Sequence, residues 1–297
     1  MKILNFGSLN IDYVYSVEHF VQKGETLSSD MLNVYSGGKG LNQSIALSRA
    51  GLPVYHAGMI GEDGTFLENM LKDAGVNTQF LYKSSEVRTG NAIIQNDKNG
   101  DNCILLYGGA NQAITKDMID QVLANFEAGD WLVLQNEICE IPYIVEQAHH
   151  KGMKIMLNPS PMNDRIYELC LDYIDVFILN EVEAQGLVGT TDDVQKLQSK
   201  LKEKFPNAEI VLTLGEKGSM YLGEESVQQE IYSVETVDTT AAGDTFTGYY
   251  LAGRLQEMSV KETLNMAAAA SAIAVSKRGA APSIPTKDEV IQFIENH

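Results

Sequence analysis

The chain has few of the residues that would link it to an extracellular, disulfide-bonded or polyanion-binding protein. Its 297 residues include three cysteines, and 22 basic side chains against 40 acidic ones give a formal net charge of −18. Cys103, Cys139 and Cys170 are odd in number and widely spaced, which excludes a CxxC zinc motif and a disulfide framework and predicts a reducing, cytoplasmic setting. The negative charge opposes binding to nucleic acid or to an anionic membrane.

Long hydrophobic runs are also missing. The nearest, MAAAASAIAV at Met266 to Val275, is much shorter than the roughly 20 residues of a membrane-spanning helix and predicts a buried helix instead. We expect the first apolar run, KILNF, to form a strand and not a signal peptide. At 44% hydrophobic and 21% charged residues, the composition is that of a globular protein.

Short apolar runs do occur, and they alternate with helical patterns. Six of them have the length and flanking turns of buried strands: KILNF, VYHAGMI, WLVLQ, KIMLN, VFILN and IVLTL. Stretches such as TFLENMLKDAGV space apolar residues on one helical face and end at a glycine. The alternation predicts an α/β fold with a mostly parallel sheet, helices on both faces, and ligands at the carboxyl ends of the strands.

Two regions interrupt this alternation, at about 12–36 and 88–109. The second contains a predicted hairpin, TGNAIIQ and DNCILLY, joined by a turn with an Asn-Gly pair. We interpret both regions as insertions that together form a small β-sheet lid over the strand ends. No segment resembles a linker, so residues 1–297 are expected to form one domain.

The stretch VDTTAAGDTF places an acid directly after three small residues. Ala241, Ala242 and Gly243 lie where a strand ending near Val237 is predicted to turn into a helix. Small side chains at a helix start allow an anion to reach unpaired backbone amides. Asp244 could then accept a proton from a hydroxyl that attacks phosphorus, or it could be an ordinary acid in the first turn of a helix. These residues alone leave both interpretations open.

Three further clusters carry polar groups near strand ends. The GGKG around Lys39 precedes a helix, but it lacks the spacing and the Ser or Thr of a Walker A loop, so a simple glycine-rich connection is equally possible. Asn10 and Asp12 could grip neighbouring sugar hydroxyls or form an Asx turn. Asn180 and Glu183 could organise a hydrated magnesium ion or begin a helix.

The combination of these motifs is more specific than each motif. From GSLNID to KRGAAPSIP the chain resembles the ribokinase-like, or PfkB, family of carbohydrate kinases, with VDTTAAGDTF similar to the C-terminal signature and SGGKGLNQSIALSRAG to the N-terminal one. YGGANQAI, LQNE, NPSP, LNEVEA and TLGEKG follow in the family's order. The resemblance implies ATP-dependent phosphorylation of a sugar's primary hydroxyl, with D-ribose as the expected acceptor, and a homodimer that pairs through the lid.

The resemblance also implies roles for individual residues. Asp244 would be the catalytic base, and the amides of Ala241, Ala242 and Gly243 would form an anion hole. The sugar site would comprise Asn10, Asp12, Gly38, Lys39, Asn42, Glu137 and Asp244. The nucleotide site would comprise Asn180, Thr213, Leu214, Gly215, Glu216, Lys217, Gly218 and Gly243. Mg²⁺ would be organised, largely through water, by Asn180 and Glu183. A monovalent cation, K⁺, would be held mostly by backbone oxygens of Asp238, Thr240, Ala274, Lys277, Gly279 and Ser283.

Rival functions differ in acceptor or in class. Asn136 in LQNE and the approach to GET depart from the usual family pattern near the lid and sugar, so fructose, 2-keto-3-deoxygluconate or adenosine could be the acceptor. A non-catalytic sugar or nucleotide sensor on the same fold is a second alternative. A dehydrogenase is disfavoured because no GxGxxG follows the first strand.

Overall fold

The computed structural model describes residues 1–191, 193–223 and 225–297. Its strands, in chain order, are β1 (Ile3–Phe6), β2 (Asn10–Ser16), β3 (Met31–Gly37), β4 (Val54–Gly61), β5 (Asn77–Ser84), β6 (Gly90–Asn96), β7 (Asn102–Tyr107), β8 (Trp131–Gln135), β9 (Lys154–Asn158), β10 (Val176–Asn180), β11 (Glu209–Thr213), β12 (Ser219–Leu222) and β13 (Ser226–Gln229). Its α-helices are α1 (Lys39–Arg49), α2 (Thr65–Asp73), α3 (Lys116–Leu123), α4 (Ile141–His150), α5 (Glu181–Val188), α6 (Val194–Lys204), α7 (Ala242–Leu255), α8 (Val260–Val275) and α9 (Lys287–Glu295).

The described strands form a large sheet and a small one. The large sheet has the order β13-β12-β11-β10-β9-β8-β1-β4-β5. Every pairing from β11 to β5 is parallel, and only β12 and β13 join in antiparallel fashion. All six apolar runs quoted above are strands of this sheet, so the predicted α/β fold with a mostly parallel sheet is confirmed.

The large sheet is buried on both faces because its side chains alternate. In β1, Ile3 packs into one hydrophobic cluster and Leu4 into the other. Helices α1, α2, α7, α8 and α9 cover the first face, and α3, α4, α5 and α6 cover the second. Successive residues of a strand point to opposite faces, which explains why the strands read as continuous apolar runs. No described helix is long and apolar enough to cross a bilayer.

The small sheet has the order β3-β2-β6-β7. Strands β6 and β7 lie within the second predicted insertion, whereas β2 begins before the first one, at Asn10, and β3 ends just after it, at Gly37. Its register places Tyr35, Asp12, Ala92 and Leu106 in one row across all four strands, and these side chains face the large sheet's carboxyl ends. The next row, which faces away, consists of Val34, Tyr13, Ile93 and Leu105. Whether this sheet acts as a lid within a single domain stays a prediction.

One predicted element is absent from the described chain. The strand expected to end near Val237 does not form, and residues 230–239 have no regular structure. The amides of Val237 and Asp238 instead both donate to the carbonyl of Val275, at 2.8 and 3.1 Å. The segment therefore crosses the end of α8 and does not extend the sheet beyond β13.

Candidate active site at the strand ends

A cleft of about 1310 Å³ lies between the small sheet and the carboxyl ends of the large sheet. Polar residues that end or follow β1, β8, β9, β10 and β11 all reach it, as expected for a parallel sheet. The predicted site residues that line it are Asn10, Asp12, Gly38, Lys39, Asn42, Glu137, Asn180, Glu183, Thr213, Asp238, Thr240, Ala241, Gly243, Asp244 and Gly279. Those that do not are Leu214, Gly215, Glu216, Lys217, Gly218, Ala242, Ala274, Lys277 and Ser283.

The AAGD stretch forms the first turn of α7, at the cleft wall. The helix begins at Ala242, and Ala241 before it has φ +61°, a left-handed conformation that L-residues rarely adopt. A β-carbon added at Gly243 would meet no heavy atom within 4 Å, so the space above this turn is open. The Ala242 amide donates to Thr239 O over 3.3 Å, a long bond that engages one predicted member of the anion hole.

The carboxylate of Asp244 is held on both oxygens by α1. Asn42 Nδ2 donates to Oδ2 and Gln43 Nε2 donates to Oδ1, each at 2.9 Å. Asp244 is 6% exposed, yet it still lines the cleft. The acid of the first turn is therefore fixed by donors on a second helix, which an ordinary helix-start acid does not require. The remaining oxygen of Asn42, Oδ1, is buried without a partner.

The GGKG segment brings the start of α1 against the backbone of the β1–β2 loop. Gly38 has φ +97°, and a β-carbon on Gly40 would lie 2.4 Å from the amide nitrogen of Ser8. Only glycine allows this approach. It places Lys39 beside Asp244, whose carboxylate raises the pKa of the lysine ammonium against the opposing effect of burial. The lysine is therefore a fixed positive charge beside the α7 turn.

Two carboxylates lie near each other in the cleft, Asp12 on β2 of the small sheet and Glu137 just after β8 of the large sheet. Glu137 Oε2 accepts hydrogen bonds from Ser8 Oγ and from the Lys39 amide, the latter at 2.9 Å. Burial, with a smaller contribution from Glu137, raises the pKa of Asp12 from 3.8 to about 6. Asn10 Oδ1 accepts from Asn111 Nδ2 at 2.8 Å. The arrangement offers several hydroxyl acceptors within one small region.

Asn180 and Glu183 begin α5 as a reciprocal capping box. Asn180 Oδ1 accepts from the Glu183 amide at 2.9 Å, and the Glu183 carboxylate accepts from the amide and side chain of Asn180 at 3.0 and 2.9 Å. The helix-start interpretation is thus correct as local structure. Burial raises the pKa of Glu183. Within the described ranges, no group of three or more His, Cys, Asp or Glu could hold a metal directly.

The TLGEKG segment meets the cleft only through its first residue. Thr213 ends β11 and lines the cleft, whereas Gly215–Lys217 form a short 3₁₀ turn outside it. Lys217 Nζ lies 3.8 Å from a carboxylate oxygen of Glu181. Any contact between this turn and a ligand would have to extend from the edge of the cleft.

The side chain of Asp238 forms hydrogen bonds to both loops that carry predicted monovalent-cation residues, at Thr240 and at Gly279. Its Oδ1 accepts from the amide and hydroxyl of Thr240 at 2.9 and 2.6 Å, and its Oδ2 accepts from the Gly279 amide at 2.9 Å. Burial opposes ionisation of Asp238, but these hydrogen bonds outweigh it and keep the pKa below its ordinary value. Lys277 Nζ forms a salt bridge with Glu289 of α9 at 3.0 Å, so its ammonium group is bound to α9 rather than to Asp238.

Two polar residues near the site were not predicted from the sequence. Asn111 bonds to both backbone groups of Leu9 as well as to Asn10, and Gln43 bonds to Asp244. Both belong to motifs already noted, YGGANQAI and GGKGLNQ, which was the available signal. Asn136, by contrast, does not line the cleft. It is buried, and its Nδ2 donates to Pro161 O at 2.7 Å.

Comparisons with known proteins agree with this geometry. A family model described as pfkB family carbohydrate kinase matches residues 1–287. The chain is 35% identical to the ribokinase of Haemophilus influenzae over 299 residues, covering 98% of this chain and 97% of that protein. Two solved structures superpose closely. The ribokinase of Arabidopsis thaliana complexed with ribose and ATP has a TM-score of 0.89, at 28% identity and 99% and 98% coverage. The ribokinase of Cryptococcus neoformans in complex with ADP has a TM-score of 0.88, at 31% identity and 98% and 99% coverage. This chain belongs to the pfkB family of carbohydrate kinases.

Proposed function

We propose that the chain transfers the γ-phosphoryl group of ATP to the primary hydroxyl of D-ribose, giving D-ribose 5-phosphate and ADP. The observation that carries the proposal is Asp244, a carboxylate fixed by two donors at the cleft wall, directly after a helix start with open space above it. The ligands named for the plant relative, ribose and ATP, support the choice of substrates.

In this proposal Asp244 accepts the proton of the primary hydroxyl as its oxygen attacks the γ-phosphorus. The bond from that phosphorus to the oxygen bridging the β and γ groups breaks, and ADP leaves. The amides of Ala241, Ala242 and Gly243 would stabilise the charge on the transferring group, together with the positive end of α7. Because phosphoryl transfer mainly requires positioning and charge stabilisation, few groups suffice.

The sugar would lie between the small sheet and α1. Asp12 and Glu137 would accept hydroxyl hydrogen bonds, while Asn10, Lys39 and Asn42 would supply further polar contacts, with the backbone of Gly38 close by. Asn42 Oδ1 supports this position, since a buried oxygen without a partner is expected to gain one. The nucleotide would occupy the opposite end of the cleft, near Asn180 and Thr213.

Two cations complete the proposal. Among the described residues, five carboxylates and two cationic side chains line the cleft, so a triphosphate entering it needs an accompanying cation. Mg²⁺ would supply that charge, and the Glu183 carboxylate, already bonded to Asn180, fits a role through water. K⁺ would be held by carbonyls of the Asp238 and Gly279 loops, which adjoin the α7 turn.

We also propose that the small sheet is a lid and that two copies of the chain pair through it. Val34, Ile93 and Leu105 lie in one row on the face away from the cleft and are 52%, 38% and 67% exposed. A continuous apolar row of this kind is typical of an interaction surface.

A substrate panel and one variant test the catalytic proposal. Turnover is measured with ribose, fructose, 2-keto-3-deoxygluconate and adenosine, and a preference of about tenfold or more for another acceptor would overturn ribose. Asp244→Asn should bind ribose and ATP but lose turnover by orders of magnitude. The matched control is Asp193→Asn, at the start of α6 and outside the cleft. Near-normal turnover of Asp244→Asn would refute the assigned base and favour a different mechanism.

A further inference from the structure

A row of buried amide side chains runs from Asp244 into the large sheet. Gln43 Nε2 donates to Asp244 Oδ1 at 2.9 Å, with a longer contact of 3.5 Å to Asn158 Oδ1. Gln135 Nε2 donates to Gln43 Oε1 at 2.7 Å and to Asn5 Oδ1 at 2.9 Å. Gln43, Gln135 and Asn5 are at most 1% exposed. The row therefore has no access to solvent.

The amides of the row can take only one arrangement of donors and acceptors, and a backbone carbonyl sets it. Asn5 Nδ2 donates to Gly40 O at 2.9 Å, and a carbonyl can only accept, so Asn5 must turn its oxygen toward Gln135. Gln135 then uses both protons of Nε2, one on Asn5 and one on Gln43. Gln43 must accept at Oε1, which leaves Nε2 directed at Asp244. Each amide thus fixes the orientation of the next.

The far end of the row carries no charge. Asn5 Nδ2 also donates to Ser44 Oγ at 2.8 Å, and Ser44 Oγ bonds to His56 Nδ1 at 2.7 Å. Complete burial lowers the pKa of His56 to about 3, so the ring stays neutral at the pH of a kinase assay. The row consequently delivers only hydrogen-bond donors to Asp244 and no competing charge.

We propose that Gln43 is a positioning residue that holds Asp244 as a proton acceptor facing the cleft, and that Gln135 acts through Gln43. The inference rests on the proposed role of Asp244 as the base. Burying this row is costly, because Gln135 Oε1 has no hydrogen-bond partner among the described residues, and an apolar filling would serve packing as well. A set of amides with fixed orientations that ends in a donor to a carboxylate oxygen instead restricts how that carboxylate can rotate.

The test compares kcat and KM among variants that share the buried setting. Gln43→Met and Gln135→Met remove successive bonds of the row, and the double variant removes both. Tyr249→Phe is the matched control, because it deletes a buried hydrogen bond of α7, from Tyr249 Oη to Pro285 O, that does not reach Asp244. The assay uses the acceptor that the wild-type chain turns over fastest, so its outcome does not depend on ribose.

We expect Gln43→Met to lower kcat by about tenfold or more, with KM for both substrates changed by less than about twofold. Gln135→Met should lower kcat less, and the double variant should match Gln43→Met, because the direct line of hydrogen bonds from Gln135 to the base passes through the Gln43 side chain. A kcat near wild type in Gln43→Met, a parallel change in KM, or additive losses in the double variant would each overturn the proposal. If Gln43→Met does not fold, kcat and KM of Gln135→Met are compared with those of the wild type and Tyr249→Phe, and an unchanged kcat would overturn the proposal. Near-normal turnover of Asp244→Asn would overturn both this inference and the assigned base, whereas normal Gln43 variants beside an inactive Asp244→Asn overturn this inference alone.

Discussion

Replacing Asp12 by asparagine should stabilise the fold while weakening sugar binding. Asp12 lies in the cleft beside Gly37, and burial raises its pKa from 3.8 to about 6. Each pKa unit corresponds to about 1.4 kcal/mol, so holding the charge in the folded chain costs at most about 3 kcal/mol. Solvent in the open cleft screens the charge and reduces this cost, so we expect Asp12→Asn to raise the free energy of unfolding by about 1.5 kcal/mol, equivalent to a rise in Tm of about 3 °C.

The pH dependence of this effect has a defined sign. Because the folded-state pKa lies above the unfolded one, protonated Asp12 favours folding, and that stability is lost as pH rises through about 6. The gain in Asp12→Asn is therefore complete at pH 8 and falls to about half at pH 5, between the two pKa values.

The assay is thermal unfolding of both proteins at pH 8 and pH 5, together with KM for ribose. Asp101→Asn, at the exposed turn between β6 and β7, reports what removing a carboxylate does at the surface of the same sheet. We expect KM for ribose to rise about tenfold or more in Asp12→Asn, because a charged acceptor is lost. A Tm below that of the wild type at pH 8, or an equal difference at both pH values, would refute the burial argument.

Four further predictions concern the α7 turn, the cation loops and the small sheet. Gly243→Ala should keep its Tm but lose more than about tenfold in kcat, because the added methyl group would enter space that the transferring phosphoryl group is proposed to occupy. Gly40→Ala is the contrasting variant: its methyl group would collide with the backbone of Ser8, so it should unfold at a lower temperature in the same melting experiment. Ala241→Gly should raise the free energy of unfolding by about 1 kcal/mol in denaturant titrations, since glycine adopts φ +61° without strain. Asp238→Asn should weaken the dependence of turnover on K⁺ concentration, and an unchanged K⁺ titration would count against the proposed ion site. Leu105→Lys should give a monomer in light scattering if copies pair through the small sheet, and an unaltered mass would contradict that pairing.

The large sheet could be predicted because its signal is local. Each of the six apolar runs is buried on both faces, so a continuous run of apolar residues is enough to indicate the strand. Helix α2 likewise ends just before Gly75, which has φ +84° and stands where the sequence predicted a stop. The prediction of a strand before the α7 turn was wrong because of a contact in the tertiary structure. Val237 donates its amide to the end of α8, a partner distant in sequence that no local pattern indicates.

The candidate site was predicted as a set of residues and not as a network. Asp244 and Asn42 were identified through motifs, but the bond between them joins residues 202 positions apart. Gln43 was missed because a glutamine on a helix is ordinarily a surface residue, and only the fold shows it buried. The roles of all these residues stay predictions until variants are measured.

The start of α7 has a consequence for how such a chain can diverge. The proposed base and the proposed anion hole occupy four consecutive residues, and the donors that orient the base come from α1. Asp12 and the side chains paired with it in the same row, Tyr35 and Ala92, lie on the small sheet instead. Substitutions on the small sheet could therefore reshape its part of the proposed sugar site without touching the proposed base or anion hole. In a gene duplicate built on this plan, the small-sheet side of the proposed sugar site is the part free to change, because Asn42 on the other side also holds the proposed base.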